Sequence, residues 1–146
     1  MILDGDAIRG LVPHRGEMCL LESVESWDRE AIVCTTTRHL AAHNPLRRGG
    51  RLSAVHAIEF AAQAAAVHAS LNTPTTPQPR GGLLVSVRHC TFHCDSLDDI
   101  PGPLRIEMRL AAGGAAFATY DFSVASPARV LAEGRLGLLV ETGSSR

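Results

Sequence analysis

The sequence has no lysine: all 14 of its basic side chains are arginine. Schiff-base chemistry therefore has no lysine to use, and neither does a phosphate-binding P-loop. Aromatic residues make up only 4% of the chain, so platforms for stacking nucleic-acid bases are scarce. A net charge of −1 gives no general attraction to nucleic acid or to an anionic bilayer. No apolar run approaches the ~20 residues that a bilayer span needs. The first ten residues, MILDGDAIRG, mix acids and an arginine among the apolar positions, unlike the core of a signal peptide. These absences leave a cytoplasmic protein with no nucleic-acid or membrane partner as the expectation. Four cysteines (Cys19, Cys34, Cys90, Cys94) carry no mark of secretion and are read as reduced and partly buried.

What is present suits one globular domain over residues 1–146. At this length, with 45% hydrophobic and 20% charged residues, a chain buries roughly two-thirds of the surface it exposes when unfolded. Asp4 to Leu11 reads as a short helix with Asp4 as N-cap and Ile8 and Leu11 on one face, ended by Pro13. Met18–Trp27 and Ala31–Thr37 read as strands of a hairpin joined by Asp28-Arg29-Glu30. An irregular stretch from His39 to Arg51, with Asn44-Pro45 and Gly49-Gly50, leads into Leu52–Leu71. Those twenty residues contain no glycine or proline and are rich in alanine, so they predict a helix ~30 Å long. It is apolar almost all round and should be buried. The proline-rich segment from Asn72 to Gly82 is a loop. Leu83–Cys94, Leu104–Ala111, Ala115–Ala125 and Val130–Glu141 then read as four strands, and Gly143–Arg146 as a frayed tail. About six antiparallel strands hide such a helix only if the sheet curls around it, an α+β arrangement. Open strand edges are expected to pair across a dimer.

The predicted helix carries polar residues at i, i+3 and i+7: His56, Glu59 and Gln63 share one face. A carboxyl group on an alanine-rich buried helix is costly to hold as a charge, so Glu59 should keep its proton toward neutral pH. An alternative is a structural hydrogen bond or an escape to the surface. His39 and His43, in the loop that feeds the helix, are candidate general bases; each is otherwise an ordinary loop residue. His89-Cys90-Thr91-Phe92-His93-Cys94 looks like a metal cluster. On a strand, however, Cys90 and Cys94 stand ~13 Å apart, too far to share zinc. Arg47, Arg48 and Arg51 form either a solvated turn or a landing site for an acidic group.

Two segments resemble a known family. Leu11-Val12-Pro13-His14-Arg15 followed by Met18-Cys19-Leu20-Leu21-Glu22-Ser23-Val24 is similar to the opening of the 3-hydroxyacyl-acyl carrier protein dehydratases. Ile58-Glu59-Phe60-Ala61-Ala62-Gln63-Ala64 resembles that family's helix motif. Asn44-Pro45-Leu46-Arg47 and Leu84-Val85-Ser86-Val87-Arg88 more closely resemble its aryl polyene branch. The resemblance implies a dimeric hot-dog fold, with the site at the subunit interface and base and acid drawn from different subunits. Glu59 matches the family's helical glutamate. The common Gly-His-Phe-Pro loop is missing: His43-Asn44-Pro45 stands in its place, and His39 lies shortly before Asn-Pro-Leu-Arg as in the aryl polyene branch. Both histidines stay in play, with His39 preferred because Asn44-Pro45 marks a rearranged loop.

The site implied is therefore Glu59 with His39 or His43 as catalytic groups, and Gln63, His56, Asn44 and Arg88 as substrate contacts, without a metal. The activity implied is loss of water from a 3-hydroxyacyl thioester to give the trans-2-enoyl thioester, in fatty acid or aryl polyene type biosynthesis. No cofactor is needed beyond the phosphopantetheine arm of the acyl carrier protein, which is the expected partner beside a second hot-dog subunit, identical or different. Backbone N–H groups near Arg51 to Ala54 are expected to steady the developing enolate. The alternatives are a non-catalytic hot-dog subunit that binds the carrier or completes a heterodimer, and an acyl thioesterase.

Overall fold

In the computed structural model, residues 2–10, 18–72, 82–113 and 117–140 are described. A two-residue strand β1 (Leu3–Asp4) runs directly into helix α1 (Gly5–Arg9). Asp4 caps it as the sequence predicts, accepting from the Ala7 N–H at 3.0 Å, and Ile8 turns into the core. Leu11, Pro13 and the rest of the Pro-His-Arg segment lie outside the described residues, as does the tail at 143–146.

Strands β2 (Ser23–Trp27) and β3 (Ala31–Thr36) form the expected hairpin. Asp28 shapes its turn: one carboxylate oxygen accepts from the N–H groups of Glu30 and Ala31, at 2.8 and 2.9 Å. The Asx geometry relieves backbone groups that the turn leaves unpaired.

The long helix starts later than its composition suggests. Ala54–His56 form one 3₁₀ turn, entered from Ser53, whose Oγ accepts from the Val55 N–H; α2 proper is Ala57–Leu71. Fifteen residues span about 22 Å. Four long strands follow: β4 (Gly82–Phe92), β5 (Leu104–Gly113), β6 (Phe117–Ala125) and β7 (Val130–Val140).

All pairings are antiparallel, in the order β1-β2-β3-β5-β6-β7-β4, so the described strands make one open seven-stranded sheet. The seventh strand is the short β1, which pairs Leu3 with Val24. The next described strand after α2, β4, lies at the far rim of the sheet, paired with β7. Helix α2 packs on the face of β3, β5, β6 and β7. Alternation then sorts each strand: Ala118, Tyr120, Phe122 and Val124 face the helix and are buried, while Phe117 and Asp121 face outward and are exposed. Phe60, Ala61, Ala64, Ala65 and Val67 of α2 meet them in one core. The small alanines let the helix lie close against the sheet, with Phe60 and Tyr120 as the largest sealed side chains.

The rim strand β4 is bulged between Arg88 and Thr91, where His89 takes φ 53°. Gly134 on β7 makes the bulge possible, because a Cβ there would lie 2.9 Å from Cys90 Cα and 3.1 Å from the Arg88 carbonyl. None of the four cysteines forms a disulfide: Cys19 and Cys34 are buried, Cys90 and Cys94 half-buried. No described helix is long and apolar enough to cross a membrane.

Candidate active site

The loop between β3 and α2 places His39. A 3₁₀ turn at Arg38–Leu40 carries the ring inward, where it is completely buried. Two side chains hold this turn. Asn44 donates to the Arg38 carbonyl at 2.9 Å and accepts from the Leu46 N–H at 2.9 Å. Arg47 binds three carbonyls, those of Ala41 (2.8 Å), Gly50 (2.6 Å) and His39 itself (3.2 Å). The sequence read Arg47 as part of an exposed basic cluster; it is instead the strap of the loop. Arg48 likewise donates to the Pro45 and Arg47 carbonyls, and Arg51 to Ser96 Oγ and the Asp98 carboxylate.

The hydrogen bonding of His39 is asymmetric. Its Nε2 lies 3.0 Å from the Ile100 carbonyl oxygen. A carbonyl only accepts, so Nε2 carries the proton. Nδ1 then presents a bare lone pair, buried, with no hydrogen-bond partner among the described residues. Burial pushes the pKa of His39 below its ordinary value; the Ile100 bond and Glu22 oppose the shift, and the nearby Arg47 charge adds to it. The ring is therefore neutral at physiological pH, as a base must be. His43, by contrast, is exposed on an open depression of about 440 Å³ with Glu22, Thr37 and Arg38.

Glu59 lies on the half-buried flank of α2 beside Ile58 and Ala62, and the sealed environment expected for it is not found in the single chain. Its carboxylate makes no hydrogen bond or ion pair among the described residues. The helix turns Phe60 and Ala61 into the core and leaves Glu59 toward the open side. His56, one turn earlier, lines a cavity of about 270 Å³ with Arg48, Arg51, Ser53, Asp95 and Ser96.

The other expected substrate contacts are placed differently. Gln63 is buried with its amide fully engaged: Oε1 accepts from Leu20 N–H at 2.8 Å and Nε2 donates to the Met18 carbonyl at 2.6 Å. It ties the strand-like segment before β2 to the helix and is not a free substrate contact. Asn44 is likewise taken up within its own loop. Arg88 stands on the outer face of the sheet, directly across from Arg135, on the side away from α2. Three of the four backbone donors expected at Arg51 to Ala54 are also occupied. Arg51 N–H bonds to the Arg48 carbonyl, Leu52 N–H to Asp98, and Ala54 N–H to the Asp95 carbonyl.

One buried polar group escaped the sequence reading. His68 is fully buried on α2, its Nδ1 2.7 Å from Tyr120 Oη and its Nε2 2.8 Å from the Asp28 carbonyl. The carbonyl again fixes the proton on Nε2, so the Tyr120 hydroxyl donates to Nδ1. Burial lowers the pKa of His68 and raises that of Tyr120 to about 12. The only local signal was a histidine inside an alanine run. Among the described residues no three His, Cys, Asp or Glu side chains converge to hold a metal; His93 of the Cys/His segment pairs with Glu133.

Comparisons add the family context. The family model ApeP-like, described as ApeP dehydratase, matches residues 6–143. No curated protein matches the chain. Among solved structures, the dehydratase heterocomplex ApeI:P from Xenorhabdus doucetiae has a TM-score of 0.76 at 23% identity, covering 95% of this chain and 91% of that one. Zebrafish thioesterase superfamily member 2 has a TM-score of 0.61 at 17% identity, covering 91% and 92%. A hypothetical thioesterase protein with coenzyme A from Streptococcus pneumoniae has a TM-score of 0.58 at 14% identity, covering 84% and 88%. These are hot-dog proteins, and the fold is shared.

Proposed function

Because the chain belongs to the ApeP-like dehydratase family, we propose that it removes water from a 3-hydroxyacyl thioester carried on the phosphopantetheine arm of an acyl carrier protein. His39 Nδ1 takes a proton from C2, the C3–oxygen bond breaks, and the Glu59 carboxyl group is the acid that supplies the proton with which the hydroxyl leaves as water. The product is the trans-2-enoyl thioester. The observation that carries this reading is the uncapped lone pair of His39, held neutral by burial and oriented through the Ile100 carbonyl. A buried nitrogen without a partner is costly in a purely structural role and suited to a base that awaits a substrate proton. Arg47 and Asn44 act as positioning residues for that ring.

Neither His39 nor Glu59 lines the cavities beside His56, His43 or Arg88. Catalysis on this reading draws the acid and the base from two subunits. The eleven-residue rim strand β4 offers an edge for such pairing. The neighbour's description as a heterocomplex supports a different hot-dog subunit as the partner. The missing Gly-His-Phe-Pro loop favours a second reading, in which this chain completes a dimer whose partner holds the working site.

Carrier-linked turnover separates the two readings, measured by the mass lost from the acyl group with the chain alone and mixed with its partner subunit. His39→Gln and Glu59→Gln should each lower turnover by about 10²- to 10⁴-fold. If both variants support full turnover in the mixture while the dimer stays intact, this chain is the non-catalytic partner and the proposed roles are wrong.

A further inference from the structure

The outer face of the sheet, opposite α2, is ordered in rows. Leu139 and Phe117 are direct cross-strand partners, both nearly half exposed. The next row is small: Ser86 pairs with Gly137 and Gly137 with Thr119. The row after that is basic: Arg88 pairs with Arg135, Arg135 with Asp121, and Asp121 with Arg109. Beside the basic row lies a trough of about 330 Å³, lined by Ser86, Arg88, Arg135, Thr119 and Phe117 and, from β5, by Ala111 and Ala112. Gly137 itself is buried beneath Ser86 and the Phe117 ring, which leave no room for a side chain there; a Cβ would meet Ser86 Oγ at 2.5 Å and Phe117 Cζ at 3.1 Å.

Like charges placed directly across a ladder are unfavourable. Asp121 answers only one of them, through its 2.8 Å contact with Arg135 Nε. Arg88 has no ion pair or hydrogen bond among the described residues. The row therefore carries three guanidinium groups against one carboxylate, beside an apolar wall of Phe117, Ala111 and Ala112.

We propose that this trough binds a small amphipathic carboxylate: the acid group between Arg88 and Arg135, the apolar body over Thr119 against Phe117, Ala111 and Ala112. The volume lies at the low end of small-molecule sites, which suits a single short acyl or aryl acid rather than a nucleotide-sized ligand. Guanidinium forks match the two oxygens of a carboxylate and bind them through charge-assisted hydrogen bonds. The site is distinct from His39 and Glu59 and does not depend on the proposed reaction.

Sodium decanoate, kept below its micelle concentration, is the probe, with calorimetry for affinity and backbone amide NMR for location. Saturable binding is expected, with shifts on β4, β6 and β7. Decanol, which lacks the charge, and acetate, which lacks the body, should each bind at least about tenfold more weakly. Arg88→Gln, an exposed substitution that leaves the core untouched, should weaken decanoate roughly ten- to hundredfold; Phe117→Ala should also weaken it, and Glu59→Gln should not. The proposal is overturned by absent saturation, by equal affinity in Arg88→Gln, or by shifts confined to α2 and the His39 loop.

Discussion

Two fully buried histidines make the stability of this protein sensitive to mild acid. Burial lowers the pKa of both His39 and His68 from an ordinary value of 6.5. Below about pH 6.5 the unfolded chain takes up protons that the folded chain refuses, so stability is complete above that pH and declines on acidification. The decline levels off only once the pH passes the folded values. Each histidine contributes a slope of at most about 1.4 kcal/mol per pH unit. Together, from about pH 7.5 to 5.5, they remove at most about 3 kcal/mol, a large share of the ~5–15 kcal/mol typical of a domain. Glu25, Asp28 and Asp98, whose pKa values are lowered, stay ionised throughout this window and do not blur it.

The two rings are not equivalent. A proton on His68 Nδ1 meets the Tyr120 oxygen, which can turn and accept it, whereas a proton on His39 Nδ1 meets no acceptor among the described residues. Urea unfolding at about pH 7.5, 6.5 and 5.5 reads the slope. His39→Gln, which keeps a donor for the Ile100 carbonyl, should remove at least half of it, and adding His68→Gln most of the rest. A wild-type stability that is flat across the window, or a slope undiminished in the double variant, refutes the reasoning.

Two further substitutions test the packing. Gln63→Leu keeps the volume but strips the partners of Leu20 N–H and the Met18 carbonyl; at ~1–3 kcal/mol for each buried group left unpaired, thermal unfolding should fall by roughly 5–15 °C. A melting point within a degree or two of wild type would show that the tie is dispensable. Gly134→Ala drives a methyl into the backbone of the β4 bulge and should cost about 1–3 kcal/mol, visible as an earlier urea midpoint; an unchanged midpoint means that the bulge can shift at no cost.

The sheet and the helix were legible because their signals are local. Alternation placed β3 through β7 to within a few residues, and the alanine run placed α2. The misplaced boundaries have local causes as well. Ser53 tightens the helix entrance into a 3₁₀ turn, and Met18 to Glu22, strand-like in composition, is held largely by Gln63 and enters the ladder only at Ser23. The site was less legible, since its decisive features are long-range. The Ile100 carbonyl that fixes His39 lies 61 residues away, and the Tyr120 that pairs with His68 lies 52 away. Periodicity put Gln63 on the same stripe as Glu59 but could not show that a distant backbone had already claimed its amide. Arg88 was read from a motif alone, and the face a strand residue takes depends on register, which shifts twice along β4.

The four thiols sit at graded depths. Burial holds Cys34 near pKa 12 at the centre of β3, while Cys90 and Cys94 lie toward the rim. Only the thiolate is alkylated, so a reagent added to the native protein labels the rim first and reaches Cys34 when the middle of the sheet parts. The chain thus carries an internal clock for its own breathing, one that runs at two speeds and needs no introduced cysteine.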